Sequence, residues 1–127
     1  MNYNQLIPTA FETTVRVGRN SLLYSLERAT VVAKENNNLV KLDIKDNAVY
    51  ITANTESGNV NESVTVNMEG KDVSIAFNSK FLCDALKAVG DEFVSIYLIN
   101  NISPVIIKPY SGNDYLYLVL PMKINNG

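Results

Sequence analysis

Apolar residues recur at Leu22, Leu26, Ala29 and Ala33, and their steps of four, three and four draw one stripe along a helix over residues 20–33. Asn20 or Ser21 is the expected cap, because an Asn or Ser side-chain oxygen can take up a free first-turn amide. A second helical period runs through Phe81, Leu82, Ala85, Leu86 and Val89, with Ser79 as expected cap and Gly90 as the stop. Strand-forming residues occupy 14–17, 39–44, 49–53, 59–68, 73–77, 93–98, 105–108 and 115–120. Turn residues separate several of them at Asp46-Asn47, Ser57-Gly58, Glu69-Gly70 and Ser111-Gly112-Asn113, which predicts antiparallel hairpins. The expected order is β-α-β-β-β-β-α-β-β-β, an α+β chain in which a sheet is backed by two helices on one face.

The ends of the chain read differently from its middle. Residues 1–13 are polar at first, then carry Leu6 and Ile7 ahead of Pro8, a linker or extended arm. Residues 14–124 form the single expected domain, and 125–127 a short tail. The stretch YLYLVLPMKI (115–124) runs strand formers into Pro121, which lacks an amide hydrogen and ends the ladder. Met122 and Ile124 then stand where a chain usually frays into water. A core strand with an apolar end and the wall of a binding groove fit these residues equally well.

Composition narrows the function classes. A chain of 127 residues with 46% hydrophobic content closes one core without disulfides or metal. No apolar run approaches the roughly 20 residues that cross a bilayer, and the start lacks the pattern of a secretory signal, so a cytoplasmic, membrane-free setting is expected. The net charge of −2 supplies no global attraction to nucleic acid. Histidine is absent, which removes the commonest general base and metal ligand. Cys83, on the polar side or flank of its helix, has neither a second cysteine nor a histidine to work with. Asp43, Asp46, Asp91 and Glu92 fall in or beside turns, where acids are routine solvated residues. No phosphate-binding loop and no zinc spacing occurs. No catalytic residue, metal or cofactor is expected.

Helical geometry picks out a few surface residues. Lys80 and Lys87 lie together opposite the apolar stripe of the second helix; Tyr24, Arg28 and Val31 point away from the stripe of the first. Side by side, the helices would offer Arg28, Lys80 and Lys87 as a modest basic surface for phosphates, although from these residues alone a plain solvated helix face is the better explanation of the charges. Val31 and Val32, off the centre of their stripe, suit either a subunit interface or packing under a loop. Val64 and Val66 alternate with Ser63, Thr65 and Asn67, the pattern of a half-buried strand and a candidate sheet edge.

Four pieces in this order resemble one family: ERATVVAKENN (27–37), ITAN (51–54), FNSKFLCDALKAVGDEFVSI (77–96) and YLYLVLPMKI (115–124). Together the segments are similar to the third, C-terminal domain of the bacterial DNA polymerase III beta subunit, the sliding clamps. The resemblance implies a DNA-clamp fold, two helices packed on antiparallel sheets, in a ring that encircles duplex DNA and tethers polymerase without catalysis of its own. It implies an inner wall of Tyr24, Arg28, Lys80 and Lys87, giving sequence-independent attraction to DNA. A seam with a partner clamp subunit would use Val31 and Val32, and the strand over 61–68, which bears Val64 and Val66, would pair edge to edge across it. A groove for short motifs of the polymerase III alpha subunit, clamp-loader subunits and other clamp-motif proteins would be lined by Leu6, Ile102, Pro104, Leu118, Val119, Leu120, Pro121, Met122 and Lys123. The family has three such domains where this sequence has one, so a fragment is expected, with half the groove missing. The alternative from the residues alone is a generic α+β interaction domain that binds by strand addition, unrelated to DNA.

Overall fold

The structure, a computed structural model, describes residues 12–34, 37–55, 58–100, 102–109 and 116–122. Leu6, Lys123, the 125–127 tail, the turn at 111–113 and all of the predicted arm except Glu12 and Thr13 lie outside the described residues.

Among the described residues, two antiparallel sheets and two helices make up the domain. Strand β1 (Thr13–Gly18) leads into helix α1 (Arg19–Ala33), followed by β2 (Leu39–Lys45), β3 (Ala48–Thr55), β4 (Gly58–Thr65), β5 (Asn67–Gly70) and β6 (Val73–Asn78). Helix α2 (Ser79–Ala88) precedes β7 (Phe93–Leu98), β8 (Val105–Pro109) and β9 (Tyr117–Val119). One sheet runs β5-β1-β7-β8-β9 and the other β4-β3-β2-β6. The helices pack on each other, α1 also covers β3 and β4, and α2 lies against β6 and β9.

The predicted order stands, with one strand divided. The segment predicted as a single strand over 59–68 breaks at Val66: β4 pairs with β3 in one sheet and β5 with β1 in the other. Val66 itself is buried, and its amide is satisfied by the Asn47 carbonyl at 3.0 Å. A strand whose two halves face different layers can change sheet without exposing a backbone donor. The β2–β3 hairpin turns tightly at Asp46 and Asn47, both at positive φ, the conformation that two-residue hairpin turns demand and that Asp and Asn tolerate.

Both helix starts differ from expectation. Helix α1 begins at Arg19 after Gly18, with no side-chain cap. Helix α2 is capped by Asn78, whose Oδ1 accepts from the amides of Lys80 and Phe81 at 3.0 and 3.3 Å. Ser79 sits inside the helix, fully buried, where its hydroxyl accepts from Thr30 of α1 at 2.8 Å.

The core joins both layers through side chains such as Leu22, Leu26, Ile51, Ile75, Phe77, Leu82 and Leu86. Cys83 is buried with them rather than lying on a polar flank, because that side of α2 faces α1. Phe81, expected on the core stripe, is 65% exposed while its neighbour Leu82 is 2% exposed.

Candidate functional site

That turned-out phenylalanine begins one wall of an open cavity of about 600 Å³. Phe81, Asp84, Ala85 and Ala88 line it from α2, and their spacing of i, i+3, i+4 and i+7 is a second helical stripe beside the buried one. The facing wall is the end of the chain: Tyr117, Leu118, Val119, Leu120 and Met122, with Asn78 closing the helix side. Alternation along β9 turns Val119 inward as the floor and leaves Leu118 and Leu120 exposed. Past Pro121 the tail crosses to the other sheet, where the Met122 amide donates to the Ala76 carbonyl at 2.7 Å. The Tyr117 hydroxyl reaches the Ala88 carbonyl at 3.4 Å and ties the strand to the end of α2. A concave, mostly apolar slot with an amide and a carboxylate at its margin suits an extended ligand with apolar side chains.

Four of the predicted groove residues, Leu118, Val119, Leu120 and Met122, therefore meet in one site, and half-buried Pro121 shapes the bend between them. Ile102 and Pro104 are exposed on the approach to β8 but do not line the cavity. The α2 wall, Phe81 above all, was missed because a 3.6-residue period assigns a large apolar residue to the core. The signal was present in the width of the stripe: Phe81 lies at its margin, about 140° around the helix from Leu86.

Two cations of the predicted basic surface have acidic partners. Arg28 reaches across to β4 and donates to Glu62 through Nε at 3.0 Å and Nη2 at 2.8 Å, while Lys87 of α2 pairs with Glu27 at 3.8 Å. The Arg28 hydrogen bonds hold the Glu62 carboxyl below its ordinary range, and the same contact raises Arg28. Two of the three cations thus face carboxylates; Tyr24 and Lys80 are exposed.

Val31 is 70% exposed at the end of α1, and Val32 is half-buried against the core. Val64 and Val66 correct the expectation for a seam: both side chains are buried in this chain's own core. What β4 presents outward is the free edge of its sheet and the side chains of Asn59, Asn61 and Ser63, because among the described strands β4 pairs only with β3.

The acids in and beside turns have ordinary structural roles. Asp43 accepts from Ser74 and lies 4.0 Å from Lys41, Asp46 sits in the β2–β3 turn, and the Asp91 carboxylate accepts from the Glu92 amide at 2.8 Å. Burial pushes the Cys83 thiol up, away from the thiolate that chemistry would need. No cluster of three or more metal-ligating side chains occurs among the described residues, nor is any helix there long and apolar enough to cross a membrane.

Comparison with known proteins agrees with this architecture. Residues 4–123 match the family described as DNA polymerase III beta subunit, C-terminal domain. The beta sliding clamp of Synechococcus elongatus is 35% identical over 128 residues, covering 98% of this chain and 34% of the relative. That of Staphylococcus aureus is 32% identical over 122 residues, covering 94% and 32%. Among solved structures, the DNA polymerase III beta subunit of Thermotoga maritima superposes with a TM-score of 0.92 at 35% identity, over 98% of this chain and 34% of that one. The beta chain of Streptococcus pneumoniae gives 0.90 at 34% identity, over 98% and 35%. The chain spans about a third of the length of the curated relatives it matches.

Proposed function

Because the chain belongs to the family formed by the C-terminal domain of the DNA polymerase III beta subunit, we propose that it serves as the C-terminal unit of a sliding clamp, a non-catalytic tether in the bacterial cytoplasm that holds a polymerase on duplex DNA. The observation that carries this reading is the apolar groove between α2 and the chain end, formed by Phe81 on one side and Leu118, Leu120 and Met122 on the other. Its occupant is a short extended peptide carrying leucine and phenylalanine, from polymerase III alpha, clamp-loader or other replication and repair proteins. Flexible and branched apolar walls accept such side chains from many partners, and the tether then depends on a small contact rather than on tight DNA binding.

The remaining surfaces fit the same proposal with changes of detail. Tyr24, Arg28, Lys80 and Lys87 form the face toward DNA; the Glu62 and Glu27 partners weaken its pull, which favours sliding over arrest. Val31, Val32 and the free edge of β4 form the seam with a partner clamp subunit, where the edge-to-edge pairing expected of this strand supplies backbone contact while Val64 and Val66 stay in the core. Ile102 and Pro104 belong to the rim of the groove in this reading.

Titrating the 127-residue chain with a QLSLF-type peptide tests the proposal. Backbone resonances of Leu118, Leu120 and Phe81 are expected to shift together, with weak affinity. A response confined to Tyr24, Arg28 and Lys80 would overturn the groove assignment.

A further inference from the structure

We infer that the backbone bridge between Met122 and Ala76 is the positioning bond of the groove, and that a peptide in the groove and this bond stabilise each other; the inference rests on the groove reading above. The ladder of the five-stranded sheet ends where Val119 pairs with Val105, and Pro121 brings no donor. Past that point, among the described residues, the tail is tied by the Met122 amide, which donates to the Ala76 carbonyl at 2.7 Å as an isolated antiparallel bridge to the other sheet.

Ala76 stands two residues before Asn78, whose side chain caps α2 through the amides of Lys80 and Phe81. Both walls of the groove are therefore rooted in residues 76–78: the helix wall by its cap, the tail wall by the bridge. The helix wall is backed by the core through Leu82 and Leu86, whereas the tail, among the described residues, hangs from one bridge beyond a three-residue strand. Opening the bridge would move Leu120 and Met122 away from Phe81. A ligand that touches both walls binds the bridged state better than the opened one, so by linkage binding strengthens the bridge by the same factor that the bridge strengthens binding.

The test uses the 127-residue chain, a QLSLF-type peptide and two variants. Met122→Leu keeps the amide and an apolar side chain; Met122→Pro removes the donor. Saturating peptide is expected to slow amide exchange at Met122. Met122→Leu changes the groove side chain and keeps the amide, so it is the reference, and Met122→Pro is expected to bind roughly three- to tenfold more weakly than Met122→Leu, the worth of one net hydrogen bond. Unchanged exchange at Met122 in a chain that binds peptide overturns the inference alone, as does unweakened binding by Met122→Pro. A parent chain that takes up no peptide overturns the groove reading, and the inference with it. If Met122→Pro does not fold, the exchange measurement on the parent decides.

Discussion

Phe81 and Leu82 are adjacent in sequence and assigned to opposite jobs, and a pair of alanine substitutions separates them. Leu82 is 2% exposed in the core, so Leu82→Ala removes buried methyl groups and leaves a cavity, at a cost of about 2–5 kcal/mol. Phe81 is 65% exposed, leaving about a third of its side chain to bury on folding. With a phenylalanine burying about 200 Å² when fully covered, that third is roughly 70 Å², or about 1.8 kcal/mol as an upper bound. Alanine regains about 0.5 kcal/mol of helix propensity, so Phe81→Ala costs about 1 kcal/mol. Unfolding entropy of about 2.1 cal/mol/K per residue over a chain of this length makes 1 kcal/mol worth about 4 °C. Calorimetry should thus find Tm lowered by roughly 8–20 °C for Leu82→Ala and about 4 °C for Phe81→Ala. Peptide titration completes the contrast, with Phe81→Ala losing affinity in a protein that remains folded. Equal thermal losses in the two variants, or unchanged peptide affinity in Phe81→Ala, would refute the division of α2 into a buried stripe and a groove stripe.

Asn78→Ala should cost about 1 kcal/mol by stranding the Lys80 and Phe81 amides, and Asn78→Ser should recover most of it, as read by thermal melts. Gly70 sits at φ +111 with the Glu12 carbonyl oxygen occupying the space a Cβ would need, so Gly70→Ala should cost at least about 1–3 kcal/mol; loss of slow exchange in β5 with β1 would report it. The Glu62 carboxyl is held below its ordinary range, so the Arg28 contact stabilises the fold above the unfolded-state value and the contribution disappears as pH falls through the lowered folded-state value. Carbon-detected NMR titration should return Glu62 to the ordinary carboxylate range in Arg28→Ala; an unmoved titration would show that Arg28 is not the cause.

Much of the architecture is legible in the letters. The stripe of Leu22, Leu26, Ala29 and Ala33 and the alternation in β2 and β3 each place one face inward, and every residue of that stripe is buried, with Leu23 and Ser25 beside it. Asp46-Asn47 supplies positive φ where the hairpin turns, a local steric preference that needs no distant partner. Half of the groove was legible on the same grounds, because Pro121 must end a ladder wherever it stands. The resemblance of four short pieces to one family was enough to expect the clamp fold.

What the letters leave open depends on contacts between residues distant in sequence. A period of 3.6 says that Phe81 lies near an apolar stripe; whether it is covered depends on which side of α2 is occupied by α1, and the helices meet over Cys83 and Ser79 instead. The alternation of Val64 and Val66 is the same for a strand facing a neighbouring subunit as for one facing its own core, and only α1, lying over β4, settles that they are core. Arg28 reads as a free cation until Glu62, 34 residues away, is brought under it. The sequence by itself determined the elements, their inward faces and the stop at Pro121, since these rest on local sterics and periodicity. The tertiary structure alone decided which surfaces stayed uncovered, and so where the groove lies, because exposure is a property of the neighbours that packing supplies.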